Sequence, residues 1–183
     1  MDKPLLIVIT GRPASGKSTL ANLLSRKIKC PLLSRDALKE GYVNTIGLQH
    51  TELSDAAAAH IYTTFFDAID LLISNNISLI VEAAFQQKRW APKLSELANK
   101  ATIKVIVCKT DPDLSKKRFL DRVAGDPERE RFHGDSLSRL INDHSGLFTD
   151  SYEQLNLDVP TLEVDTTASY SPHFNSIVAF VSG

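Results

Sequence analysis

A chain of 183 residues has the length of one ordinary domain, long enough to bury a real core. Its 43% hydrophobic and 23% charged residues match average globular usage, which excludes a disordered chain and a collagenous or coiled-coil rod. With 21 basic side chains against 22 acidic ones the formal net charge is -1, so no global field draws the protein onto nucleic acid or an anionic membrane, and any polyanion contact must be local. The apolar runs at 5–9 and 79–81 are too short to cross a bilayer, and the N-terminus shows neither a basic region before a long apolar stretch nor a cleavage site. Two cysteines, Cys30 and Cys108, exclude a disulfide framework, and neither has a second ligand at metal-binding spacing. The expectation is a cytoplasmic protein with no membrane partner and two buried, unreactive thiols.

Residues 5–9 form a continuous apolar run that ends in glycine-rich sequence, the pattern of a strand covered on both faces in a parallel sheet. Leu20, Leu23, Leu24 and Ile28 follow with helical period, and residues 31–34 are a shorter strand candidate. Ser54 then caps a long helix over 55–74, whose inner face is marked by Ile61, Phe65, Ile69 and Leu72. Apolar strands recur at 79–81, 105–108 and 162–164, and Asp111 before Pro112 supplies a cap and a first helical position after the fourth strand. Residues 125–136 are highly polar with breakers at both ends and read as a mobile loop; beyond them Leu137, Leu140, Ile141, His144 and Phe148 return to helical spacing. Five strands alternating with helices predict a single doubly wound α/β domain over residues 1–183.

Directly after the first strand stands Gly11-Arg12-Pro13-Ala14-Ser15-Gly16-Lys17-Ser18-Thr19, which fits the P-loop pattern of a glycine, four residues, then glycine, lysine and serine or threonine. Gly11 and Gly16 permit dihedrals closed to other residues and let phosphate oxygens approach backbone N–H groups. The helix starting near Lys17 points its unpaired amides and positive dipole end at the anion, Lys17 reaches the β and γ phosphates, and Ser18 offers a hydroxyl to Mg²⁺. The whole segment from Gly11 to Thr19 is therefore assigned to nucleotide binding.

The P-loop alone does not give the reaction. A switch GTPase needs an Asn-Lys-x-Asp reader and an Asp-x-x-Gly element, but Asn99-Lys100 is followed by Ala101-Thr102, and Asp143-His144-Ser145-Gly146 falls within a helical pattern. A ring-forming remodelling ATPase usually carries an apolar strand ending in Asp-Glu and a further helical domain, whereas here the strand ends Val81-Glu82-Ala83-Ala84. A small kinase fits best. The loop form Gly11-x-Pro13-x-Ser15-Gly16-Lys17-Ser18-Thr19, the segment Leu33-Ser34-Arg35-Asp36-Ala37-Leu38-Lys39, and the run Arg118-x-x-x-Arg122 leading into Arg129-x-Arg131-x-His133 together resemble one group of P-loop kinases. That group takes in polynucleotide 5′-hydroxyl kinases, zeta-type toxins, chloramphenicol phosphotransferase and gluconate kinase. Two departures stand out: Lys39 replaces the arginine that polynucleotide kinases carry three residues after the aspartate, and Glu82 stands where the group often has aspartate.

The resemblance implies a three-layer P-loop fold with a five-stranded parallel sheet of order 2-3-1-4-5, and a kinase that uses ATP and Mg²⁺. It implies that Asp36 faces the hydroxyl to be phosphorylated, orienting it and accepting its proton. It also implies an arginine-bearing lid at about 118–136, in which Arg122, Arg129 and Arg131 meet charge developing on the transferred phosphoryl group and Arg118 meets the nucleotide. Arg35, Lys39 and Glu82 are candidate substrate ligands beside Asp36, and Glu82 together with Ser18 is a candidate for Mg²⁺ through a water. From the residues alone, an Asp after a short strand is commonly a helix cap, the arginines of 118–122 share a wet helical face, and Glu82 is a costly buried charge that suits a site or a salt bridge. Trp90 and Phe85 read as packing, His133 as a solvated or substrate-contacting side chain, and the remaining histidines show no metal spacing. The acceptor expected is a small hydroxylated molecule, with a polynucleotide end second because no basic stripe with interleaved aromatics is present. The rival class is a nucleotide-binding regulator whose ATP hydrolysis drives a shape change.

Overall fold

The computed structural model describes residues 3–84, 87–135 and 158–183. Its centre is β1 (Leu5–Gly11), buried from Leu6 onward. Alternate residues of that strand serve opposite faces, as the pleat demands. Leu6 and Val8 pack with Phe65, Ile69, Val81 and Trp90 on one side, while Ile7 and Ile9 pack with Leu20, Leu24, Ile80 and Ile106 on the other. An unbroken apolar run is what a strand needs when both faces are covered.

Around β1 the strands β2 (Leu32–Ser34), β3 (Leu79–Glu82), β4 (Thr102–Lys109) and β5 (Thr161–Asp165) complete a parallel sheet of order β2-β3-β1-β4-β5, the order the resemblance implied. Helices α1 (Lys17–Ile28), α2 (Arg35–Ile46), α3 (Asp55–Ser74), α4 (Gln87–Leu97), α5 (Pro112–Gly125), α6 (Glu128–His133) and α7 (Phe174–Ser182) flank it, with a 3-10 turn at His50–Glu52. Ser54 caps α3 through the Ala57 amide at 3.2 Å, and Asp111 caps α5 through the Leu114 amide at 2.9 Å, both as read from the sequence.

Three expectations change. Leu23 is exposed, because the buried stripe of α1 runs through Leu20, Ala21 and Leu24 instead. α3, although made of interrupted apolar groups, is by length and composition apolar enough to cross a bilayer, with mean hydropathy 1.3; in this fold it lays Ile61, Phe65, Ile69 and Ile73 on the core. The polar segment after α5 is not a loop throughout: residues Glu128–His133 form α6. Its breakers are helix caps. Pro127 takes the N-cap position, Gly134 closes the end at φ 67° with its N–H on the Glu130 carbonyl, and Glu128 and Arg131 sit at the ends that suit the helix dipole. α2, α4 and α7 had no assigned sequence pattern; their apolar stripes are short and, in α4, interrupted by Pro92. The helical spacing at 137–148, Ser136 and Phe85 lie outside the described residues.

Candidate active site

Parallel strands bring their carboxyl ends to one edge of the sheet. There the register sets Glu82 beside Ile9 of β1 and Ser34 of β2, while Gly11 pairs with Cys108 of β4. The chain leaving β1 turns tightly over that edge: Gly11 has φ 151°, and a Cβ on it would stand 2.4 Å from the Cys108 carbonyl oxygen. Ala14 is held at φ 58°, a left-handed conformation that costs a residue with a side chain, and Gly16 reaches φ 81° as the N-cap of α1. α1 thus begins with no side-chain cap and no acidic residue in its first turn, leaving its leading amides to an anion. The Ser15 hydroxyl, inside the loop, is buried without a hydrogen-bond partner among the described residues.

Side chains far along the chain brace this loop, and no local pattern pointed to them. Ser115 on α5 donates to the Pro13 carbonyl at 2.6 Å, and Thr166 after β5 donates to the Ser15 carbonyl at 2.6 Å. Arg118, one turn from Arg122, donates to the carbonyls of Thr166 (3.0 Å) and Thr167 (2.9 Å), which ties its guanidinium to the segment after β5.

Lys17 is 6% exposed and Glu82 2%, with Lys17 Nζ 3.6 Å from Glu82 Oε1. Ser18 donates to the same carboxylate oxygen at 3.2 Å, and Ser34 donates to the other at 2.8 Å. The two readings of Glu82 therefore merge: its salt bridge is to the P-loop lysine. Ser34, missed in the sequence, is also the N-cap of α2 and accepts from the Ala37 amide at 3.4 Å. That leaves Asp36 inside the helix rather than capping it, with Oδ1 accepting from Arg35 at 2.6 Å. Burial pushes the Asp36 carboxyl upward, but the charges of Arg35 and Lys17 and the Arg35 hydrogen bond outweigh it and hold the group below the usual aspartate value.

An open cleft of about 550 Å³ joins these groups: Lys17, Ser18 and Thr19 line it from the P-loop, Asp36 from α2, Glu82 from β3, and Arg122, Arg129 and His133 from α5 and α6. Arg129 is paired with Asp135 at 2.7 Å, and His133 Nε2 lies 2.8 Å from Glu40 Oε1, tying α6 to α2. Burial, reinforced by the neighbouring Arg129 charge, lowers the pKa of Arg122. Arg131 turns away, 3.4 Å from Glu128 and over the Phe132 ring, and neither it nor Lys39 lines the cleft. Trp90 is fully buried against Phe65 and Phe66, as packing. Both thiols are buried, and burial pushes Cys108 up to about 12. Mg²⁺ takes one or two protein oxygens and fills its shell with phosphate and water. A serine hydroxyl and a buried carboxylate sharing one hydrogen bond beside the lysine fit that demand.

A buried strand, a glycine-bounded anion loop and a lysine-led helix on this sheet define a P-loop nucleotide-binding fold of the kinase type. The chain belongs to a family described as an AAA domain, whose model matches residues 6–145. No curated protein sequence matches it. Among solved structures, a candidate kinase from Chloroflexus aurantiacus j-10-fl is similar with TM-score 0.80 and 29% identity, covering 100% of this chain and 96% of that one. The APS kinase of Mycobacterium tuberculosis, in complex with AMPPNP and APS, gives TM-score 0.67 at 17% identity, covering 100% of each chain. A gluconokinase from Sinorhizobium meliloti 1021 gives 0.59 at 16%, covering 100% of this chain and 94% of that one.

Proposed function

We propose that this protein is a cytoplasmic phosphotransferase that moves the γ-phosphoryl group of ATP to a hydroxyl of a small-molecule acceptor. The observation that carries the reading is the meeting of Lys17, Glu82 and Asp36 in one cleft above the strand ends. The APS kinase and the gluconokinase of similar fold support an acceptor of small-molecule size. The loop amides and Lys17 hold the β and γ phosphates. Ser18, and Glu82 through water, would hold Mg²⁺, which when bound neutralises charge on those phosphates. The acceptor oxygen attacks the γ phosphorus, the bond from that phosphorus to the bridging oxygen breaks, and ADP leaves. Asp36 orients the attacking hydroxyl and receives its proton. Arg122 and Arg129, the lid arginines that reach the cleft, stabilise charge on the transferred group.

The test follows γ-labelled ATP with a metabolite panel and a 5′-hydroxyl oligonucleotide, scoring both ADP release and label on the acceptor. Release stimulated by one small acceptor that carries the label supports the proposal. Transfer to the oligonucleotide replaces the acceptor class, and slow hydrolysis indifferent to every acceptor overturns transfer in favour of a regulator.

A further inference from the structure

The geometry points to an oxyanion subsite beside Asp36, in which Arg35, Tyr62 and Arg89 take a carboxylate, phosphate or sulfate group of the acceptor. The inference rests on the reading of Asp36 as the residue that meets the acceptor hydroxyl, and it narrows the acceptor to a hydroxylated molecule that carries an anion.

Three elements contribute. Arg35, the first residue of α2, donates to Asp36 at 2.6 Å and to the Tyr62 hydroxyl of α3 at 2.9 Å. Its Nε is buried with no acceptor among the described residues. From the first turn of α4, Arg89 places its guanidinium carbon 4.3 Å from the centre of the same tyrosine ring. Tyr62 and Arg89 line an open hollow of about 270 Å³.

The charges around the hollow are equal in number, Arg35, Arg89 and Lys93 against Asp36, Glu96 and Asp67, but they are unevenly paired. Among the described residues Asp36 is the carboxylate paired with this cluster, and it answers Arg35, while no ion pair among them includes Arg89. The other cation on the hollow, Lys93, is paired with Glu96 at 3.0 Å, while Asp67 adds a carboxylate to the rim. Arg35 is neutralised by Asp36, so the cation left to attract an anion at the tyrosine is Arg89, which lines the hollow. Planar guanidinium forks suit the oxygens of carboxylate and phosphate, and Tyr62, which accepts from Arg35, keeps its own proton to donate.

The experiment first saturates the full-length protein with AMPPNP and Mg²⁺, so that the P-loop is filled. Sulfate, gluconate and glucose 6-phosphate are then titrated at constant ionic strength, with neutral sorbitol as control. The readout is the fluorescence of Trp90, the chain's one tryptophan, whose ring lies 5.2 Å from that of Phe66 on the hollow. Saturable binding of at least one anion and none of sorbitol is expected, and a preference between gluconate and glucose 6-phosphate separates a carboxylate from a phosphate. Arg89→Gln, on the surface and safe for folding, should weaken that binding about tenfold to a hundredfold, while Lys116→Gln on exposed α5 surface leaves it within twofold. No saturable response to any of the three anions, or equal affinity in Arg89→Gln and the parent, overturns the subsite. Failure of AMPPNP itself to bind would overturn the phosphotransferase reading instead.

Discussion

Glu82→Gln separates the structural and functional duties of the buried carboxylate. In the nucleotide-free protein it removes the charge 3.6 Å from Lys17 while keeping side-chain size and one acceptor oxygen for Ser18 or Ser34. At an effective dielectric of about 20 that pair attracts by about 4–5 kcal/mol. Part of this is offset because the neutral amide no longer suffers the desolvation of a carboxylate. Breaking a buried pair from one side typically costs about 3–5 kcal/mol, and the lower end applies here because Lys17 borders an open cleft. For a domain of this size about 3 kcal/mol lowers Tm by roughly 6–12 °C.

The same substitution should act oppositely on an anionic ligand. Without Glu82 the lysine has no carboxylate in contact among the described residues, so metal-free ADP should bind the variant more tightly and raise its Tm by more than it raises the parent's. Turnover with Mg²⁺ should fall. Scanning calorimetry with and without ADP, in chelator, gives both numbers. A Tm loss under about 3 °C, or equal ADP increments in parent and variant, would refute the idea that Glu82 balances Lys17 in the empty site.

Lys17→Ala should abolish most phosphoryl transfer while the loop amides still bind ADP, and near-normal turnover in the folded variant would remove the P-loop assignment. Asp36→Asn should cut transfer by about 10² to 10⁴ with nucleotide affinity within a few fold, because Ser34 and not Asp36 caps α2; a loss within threefold would leave the aspartate without a role as base. The folded Asp36 carboxyl titrates below its unfolded value of about 3.9, so the stabilisation it contributes is complete above that pH and is lost as pH falls through the lowered value. Arg35→Gln should therefore shift the acid limb of activity upward, which a pH profile reads directly. Gly11→Ala should lower soluble yield or nucleotide binding sharply, since its methyl would meet the Cys108 carbonyl oxygen at 2.4 Å, and calorimetric ADP binding equal to the parent's would contradict that contact.

The parts of the fold that were legible in the sequence are those governed by local rules. β1 announced itself because a strand covered on both faces must be apolar at every position, and Ser54 and Asp111 because a cap is a local hydrogen bond. The P-loop was legible because close approach of backbone and anion restricts residue type at fixed spacing. What brings the site together was not, since Ser34, Ser115, Thr166 and Tyr62 are ordinary polar residues whose partners lie between 27 and 151 positions away.

The segment after α5 shows how one signal serves two structures. Proline and glycine around a polar stretch mark the ends of a loop, and they equally mark the start and stop of a short helix. What decides is whether the stretch finds partners. Here Asp135 takes Arg129 and Glu40 of α2 takes His133, so a six-residue helix with Phe132 as its one apolar side chain is held by a local ion pair and a hydrogen bond to α2. Contacts of that kind are weak individually and sensitive to nearby charge. On the proposed phosphotransferase reading, an anion arriving beside Arg122 and Arg129 competes with Asp135 for the Arg129 guanidinium and so acts on the ion pair at the end of α6.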